Sequence, residues 1–136
     1  MLVADANLLW EATDLGRQGA MAHAITQRDP LWAAPRFWES EVRNICATAM
    51  RTKKLTLSRA LEVMVELPAY LRGGVRLPET PRVLELAQAS GRSAYDCEYV
   101  AVAESLGVPL VTFDQALIRA FPAVAISPQD FLARPA

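Results

Sequence analysis

Short apolar runs alternate with longer segments of helical spacing along the whole chain, and this alternation leaves few folds open to it. Leu2-Val3-Ala4, Leu31 to Ala34, Val75 to Leu77, Pro109 to Phe113 and Val124 to Ile126 read as strands. Helical segments lie between them. The first runs from about Ala12 to Gln27 and is broken by Asp29-Pro30. The second opens at Pro35 and reaches about Arg51, with Trp38, Val42, Ile45 and Ala49 on one stripe. The third is capped by Thr56 or Ser58 and ends near Pro68 to Tyr70, and the fourth covers Pro78 to Ala89, stopped by Gly91. Ser93 is the expected N-cap of a fifth helix that ends at Gly107, and Ala116 to Phe121 and Pro128 to Leu132 give two short turns of helix. Strands that alternate with helices in this way predict an α/β domain, a three-layer α/β/α sandwich around a mostly parallel sheet of about five strands.

The 136 residues suit one domain, over 1–136, with a core that needs no disulfide or metal staple. An apolar fraction of 52% and a charged fraction of 21% exclude disorder, and a net charge of −1 excludes a strongly cationic nucleic-acid binder. Cys46 and Cys97 sit in apolar runs without a CxxC pair, so reduced thiols are expected. The single His23 cannot build a histidine-rich metal site. With no secretion signal and no apolar stretch near the roughly 20 residues that cross a bilayer, the expectation is a cytoplasmic protein without membrane contact.

Four carboxylates stand out by position. Asp5 and Asp114 each follow an expected strand, and ligands of open parallel sheets bind just beyond the carboxyl ends of strands. The plainer reading is that each begins a polar turn, as Asp5-Ala6-Asn7 would. Glu41 lies at the edge of the apolar stripe of its helix, where a carboxylate is costly unless paired or metal-bound. The plainer reading is a boundary side chain that reaches water. Asp96 is three residues after Ser93, where it completes a capping box as readily as a site. Glu39, Arg43 and Glu98 read as solvated surface. Carboxylates without His or Cys are hard oxygen ligands that suit Mg²⁺ or Mn²⁺, and such ions act on phosphate esters. The absence of a GxxxxGK[ST] loop argues against triphosphate hydrolysis.

The same residues resemble a family. LVADANLLW is similar to the hydrophobic-xDxN opening of PIN domains, and APRFWESEVRNI resembles their second motif, with a Glu followed three residues later by Asn. SAYDCEYVAVAESLGVPLVTFDQAL resembles the YDxxYxxLAxxxxxPLxTxDxxL region of PIN-domain toxins of the VapC type. The resemblance implies a metal-dependent endoribonuclease that hydrolyses RNA with Mg²⁺ or Mn²⁺ as cofactor, acting as the toxin of a type II toxin–antitoxin pair. Residue by residue it implies that Asp5, Glu41, Asp96 and Asp114 form the catalytic and metal-binding quartet, with Asn7 and Thr112 in support. Some relatives carry a further acid three residues after the one matching Asp114, and Leu117 stands there in this chain. It also implies a cognate antitoxin protein as partner, and a homodimer.

Basic residues expected to meet RNA phosphates are Arg36, Arg43, Arg51, Lys53, Lys54 and Arg92, each equally readable as solvated charge. Trp10, Trp38 and Tyr95 are the aromatics that could stack on bases, although the spacing of Trp38 favours the core. The alternative reading is a catalytically weak PIN-like module that binds RNA or protein. A receiver-like or phosphatase fold is disfavoured because Asp5 has no second acid beside it and no Lys follows Lys54.

Overall fold

A computed structural model describes residues 1–135. Five parallel strands form its centre: β1 (Leu2–Ala4), β2 (Trp32–Pro35), β3 (Gly74–Arg76), β4 (Leu110–Val111) and β5 (Ala125–Ile126). Their spatial order is β3-β2-β1-β4-β5. The chain therefore builds outward from β1 in one direction and later returns to its other side. The β1–β4 seam is the point where the winding reverses, the usual place for a crevice in such sheets. Val3 pairs with Ala33 on one side and with Leu110 on the other.

Alternate strand residues face opposite layers, as the pleat requires. Leu2, Ala4, Trp32, Ala34 and Val111 pack into one core with α1 (Ala6–Ala12), α2 (Gly19–Arg28), α3 (Trp38–Arg51) and α4 (Leu57–Glu66). Val3, Ala33, Leu110 and Ala125 pack into a second core with α5 (Thr80–Ser90), α6 (Ala94–Leu106) and α7 (Gln115–Ala120). A last helix, α8 (Pro128–Ala133), returns to the first layer and packs on α2. The architecture is the expected three-layer sandwich. Among the described residues no helix is long and apolar enough to cross a membrane. Cys46 and Cys97 are free and buried.

The structure corrects the expected elements near the amino terminus. No polar turn follows β1: Asp5 is extended and caps a helix that starts at once, its Oδ1 accepting from the Leu8 N–H at 2.9 Å. The helix expected over Ala12 to Gln27 is two helices. The first stops where the Thr13 hydroxyl donates to the Trp10 carbonyl at 2.6 Å, an alternative to continued helical bonding that Thr offers readily. The connector is held by Glu11, whose Oε2 accepts from the Gln18 N–H at 2.7 Å. Pro35 closes β2, opposite Arg76 of β3, and does not open α3. The expected strand to Phe113 ends at Val111, although the Thr112 N–H still bonds to the Ile126 carbonyl. Of the two candidate caps for α4, Thr56 is the one used. Ser93 caps α6 as expected, accepting from the Asp96 N–H at 3.1 Å, but the Asp96 side chain accepts from Arg92 rather than closing a capping box, and a 3-10 turn over Leu67–Tyr70 ends the helical pair before β3.

One glycine between that pair and β3 is dictated by space. The Gly73 N–H donates to the Trp32 carbonyl at 2.8 Å, and a Cβ at Gly73 would lie 2.8 Å from the same oxygen. Gly73→Ala must push the β3 entry away from β2. It is expected to lower unfolding free energy by about 1–3 kcal/mol, as other overpacked sites do, read by urea denaturation.

Candidate active site

The site grows from the β1–β4 seam. Asp5 leaves the end of β1, and its Oδ2 accepts from the hydroxyl of Thr112, which is wholly buried after β4. The Thr112 oxygen in turn accepts from the Asp114 N–H at 3.0 Å. One hydroxyl thus ties the two acids that follow the adjacent strands. Asp114 is the N-cap of α7, its Oδ1 accepting from the Ala116 and Leu117 N–H groups at 2.9 and 3.1 Å, which leaves Oδ2 to face Arg92 at 3.7 Å. Asp96 stands in the first turn of α6 and meets the same guanidinium at 2.9 Å. Glu41 comes from the first turn of α3 and is partly buried.

These acids lie near enough to act on one another. Asp5 is 7% exposed, and its carboxyl is pushed up to about 6, chiefly by burial. The bonds from Thr112 and Leu8 oppose that rise, and the charges of Asp114 and Asp96 add to it. Glu41 is raised above the ordinary carboxylate range, again chiefly by burial, with Asp5, Asp96 and Glu98 adding to the rise. The opposing influence on Glu41 is the Tyr99 hydroxyl, which is itself raised by burial and by the Glu41 charge. Tyr99 is 2% exposed, yet neither its hydroxyl nor Glu41 Oε1 makes a hydrogen bond of normal geometry. The two buried polar groups face each other, each the other's partner in charge and out of line for a full hydrogen bond.

The sequence-based quartet therefore comes together from four separate segments. Asn7 is exposed on the first turn of α1, and no hydrogen bond among the described residues ties its side chain to the acids. Of the six basic candidates, Arg92 makes ion pairs with the quartet, while Arg43 is paired with Glu39 at 2.9 Å. Trp38 is core, and exposed Tyr95 stacks on Phe37 with centroids 4.5 Å apart. Of two further members of the neighbourhood, Tyr99 carries no role in the sequence reading and Glu98 carries that of surface. Tyr99 lies three residues after Asp96, a spacing that puts both on one side of a helix. Glu98 reads as surface by its spacing from Asp96, but its charge reaches Glu41.

The donors are all oxygens, and Glu41 Oε1 is buried without a partner, which fits a hard divalent cation such as Mg²⁺ or Mn²⁺ in kind. Among the described residues no group of three or more His, Cys, Asp or Glu side chains is placed to hold a metal ion as it stands. Arg92 is the cation that two of the acids meet.

Neither a family model nor a curated protein sequence matches the chain. Among solved structures, the fold is similar to the crystal structure of PAE2754 from Pyrobaculum aerophilum, with a TM-score of 0.77 and 23% identity over 98% of this chain and 94% of that one. At that identity the likeness establishes the α/β/α fold.

The buried Asp5 carboxylate makes a prediction about stability. Its folded pKa of about 6 exceeds the ordinary 3.8, so the folded state holds the proton more tightly than the unfolded state. Without divalent cations, stability should fall as pH rises from about 4 to about 6, by on the order of 2–3 kcal/mol from this group. Asp5→Asn removes most of that slope, leaving the part due to Glu41, and is expected to be the more stable protein above pH 7. Urea denaturation across this range in EDTA checks it. A variant with the wild-type slope would contradict the assignment.

Proposed function

We propose that this chain is a metal-dependent endoribonuclease of the PIN type, with Asp5, Glu41, Asp96 and Asp114 as its acidic site. The observation that carries the reading is the convergence of four carboxylates, from four segments, on the seam where the sheet reverses. Asp5 caps α1, yet its charge is buried beside other acids at a cost that a cap alone does not require, which favours a role in chemistry. Asp5, Asp96 and Asp114 would hold Mg²⁺ or Mn²⁺, with Glu41 directly or through water. The chemistry a divalent cation supplies in such a site is activation of water and neutralisation of phosphoryl charge.

The chain's own residues do the rest. Thr112 fixes Asp5 and Asp114 relative to each other. The burial-raised Glu41 carboxylate is suited to accept a proton from the attacking water, with its buried Oε1 beside the Tyr99 hydroxyl. The α7 N–H groups keep Oδ1 of Asp114 engaged, so its other oxygen faces the site. Within this reading the chain acts as the toxin of a type II pair, held in check by an antitoxin and paired as a homodimer. A cationic antitoxin side chain would suit the excess of acids. The second reading, a binding module without useful catalysis, draws on the absence of a preformed three-acid group among the described residues.

Purified protein incubated with mixed structured and single-stranded RNA is expected to cleave it with Mg²⁺ or Mn²⁺ and not in EDTA. Asp5→Asn and Asp114→Asn should each lose roughly a hundredfold or more, the usual scale for removing transition-state charge stabilisation. The Asp5→Asn result is the more telling, because that variant is expected to be the better folded protein. Cleavage that persists equally in both variants would reject the site.

A further inference from the structure

Arg92 holds an unusual position among the basic residues. It lies in the short connector between α5 and α6, directly after Gly91, which ends α5 in the left-handed conformation at φ 71°. Its backbone N–H donates to the Ser90 hydroxyl at 3.1 Å, so the main chain is anchored while the side chain reaches into the site. One guanidinium nitrogen, Nη2, meets Asp96 at 2.9 Å and Asp114 at 3.7 Å. Arg92 Nε is buried and donates to nothing. A guanidinium used as a permanent structural fork normally satisfies both edges and binds carboxylates bidentately. Here one nitrogen faces two acids and Nε is left idle. Beside the site, buried Glu41 Oε1 and the Tyr99 hydroxyl face each other without a hydrogen bond of normal geometry.

The geometry points to Arg92 as a built-in counterion that competes with the divalent cation for Asp96 and Asp114, so that cation entry requires the guanidinium to swing out. The inference rests on the acidic-site reading above and adds a control on it. With Arg92 in place, one positive charge offsets part of the charge of Asp96 and Asp114. With Arg92 displaced, Asp96 and Asp114 are released together, because one nitrogen serves both. The swing needs only side-chain rotation, since the backbone on either side is fixed by the Ser90 bond and by the Ser93 cap of α6. The displaced guanidinium remains at the rim, where an anionic phosphodiester can receive it. The ion pairing it loses on leaving the carboxylates is thereby replaced when substrate arrives.

Calorimetric titration of the full chain with Mn²⁺ near neutral pH tests this without reference to activity. Breaking a partly exposed ion pair changes an equilibrium constant by up to about fivefold. Arg92→Gln is therefore expected to bind Mn²⁺ more tightly than wild type, by up to about fivefold. Arg92→Lys, which keeps the charge but not the planar fork, should fall between the two and serves as the comparison if the glutamine variant folds poorly. Arg119→Gln, which removes one positive charge at the far end of α7, should match wild type. Equal or weaker binding by both Arg92 variants would overturn the competition while leaving the metal site standing. An equal gain in Arg119→Gln would overturn it too, reducing the effect to net charge. Absence of Mn²⁺ binding in every protein would overturn both the metal reading and this inference.

Discussion

The hydrogen bond from the Thr112 hydroxyl to Asp5 Oδ2 links the first and fourth strands at the point where the sheet changes direction, and the arrangement of the site follows from it. It lets a carboxylate survive burial without a cationic partner of its own. With the Leu8 N–H on its other oxygen, Asp5 is satisfied by neutral donors alone. Burial keeps its acidity low although both bonds oppose that, and because neutral donors do not cancel its charge, its field reaches the acids around it. By also accepting from the Asp114 N–H, the same hydroxyl sets where α7 begins.

From this seam the remaining acids are placed by ordinary helix chemistry. Asp114 and Asp5 are N-caps, and Asp96 and Glu41 lie in first turns, positions where carboxylates are stabilised by exposed N–H groups and the helix dipole. Four helix starts aimed at one crevice therefore collect negative charge that each helix individually favours. The cost emerges only where they meet, and Arg92 is the one residue of the described structure whose ion pairs span two of them. The two readings weighed for each acid in the sequence are thus compatible: Asp96 follows a capping serine and also faces the cluster.

This compatibility explains what could be read from the chain alone. The alternation of strand and helix was legible because fully buried parallel strands carry unbroken apolar runs, such as Leu2 to Ala4 and Trp32 to Ala34. The helix start at Ala6 was hidden because Asp-Ala-Asn has the composition of a turn, and only the cap geometry of Asp5 separates the two. The break at Thr13 depends on a side-chain-to-backbone bond that helical spacing does not encode. The order of the five strands also lies beyond local pattern, because it is set by which faces the helices cover. In the site, the four acids were visible by their places at strand ends and helix starts. The pairing of Arg92 with two of them, the idle Tyr99 hydroxyl and the reach of Glu98 arise from tertiary approach across α3, α6 and α7, which no single segment reveals.

The claim on which the account stands is that the acids of the β1–β4 seam close around a divalent cation. The most direct measurement is an anomalous difference map from crystals of the protein soaked in Mn²⁺. The expected result is a peak within coordination distance of Asp5, Asp96 and Asp114, with the Arg92 guanidinium moved away from the latter two. A map with no peak at the seam, and Arg92 still between Asp96 and Asp114, would contradict it.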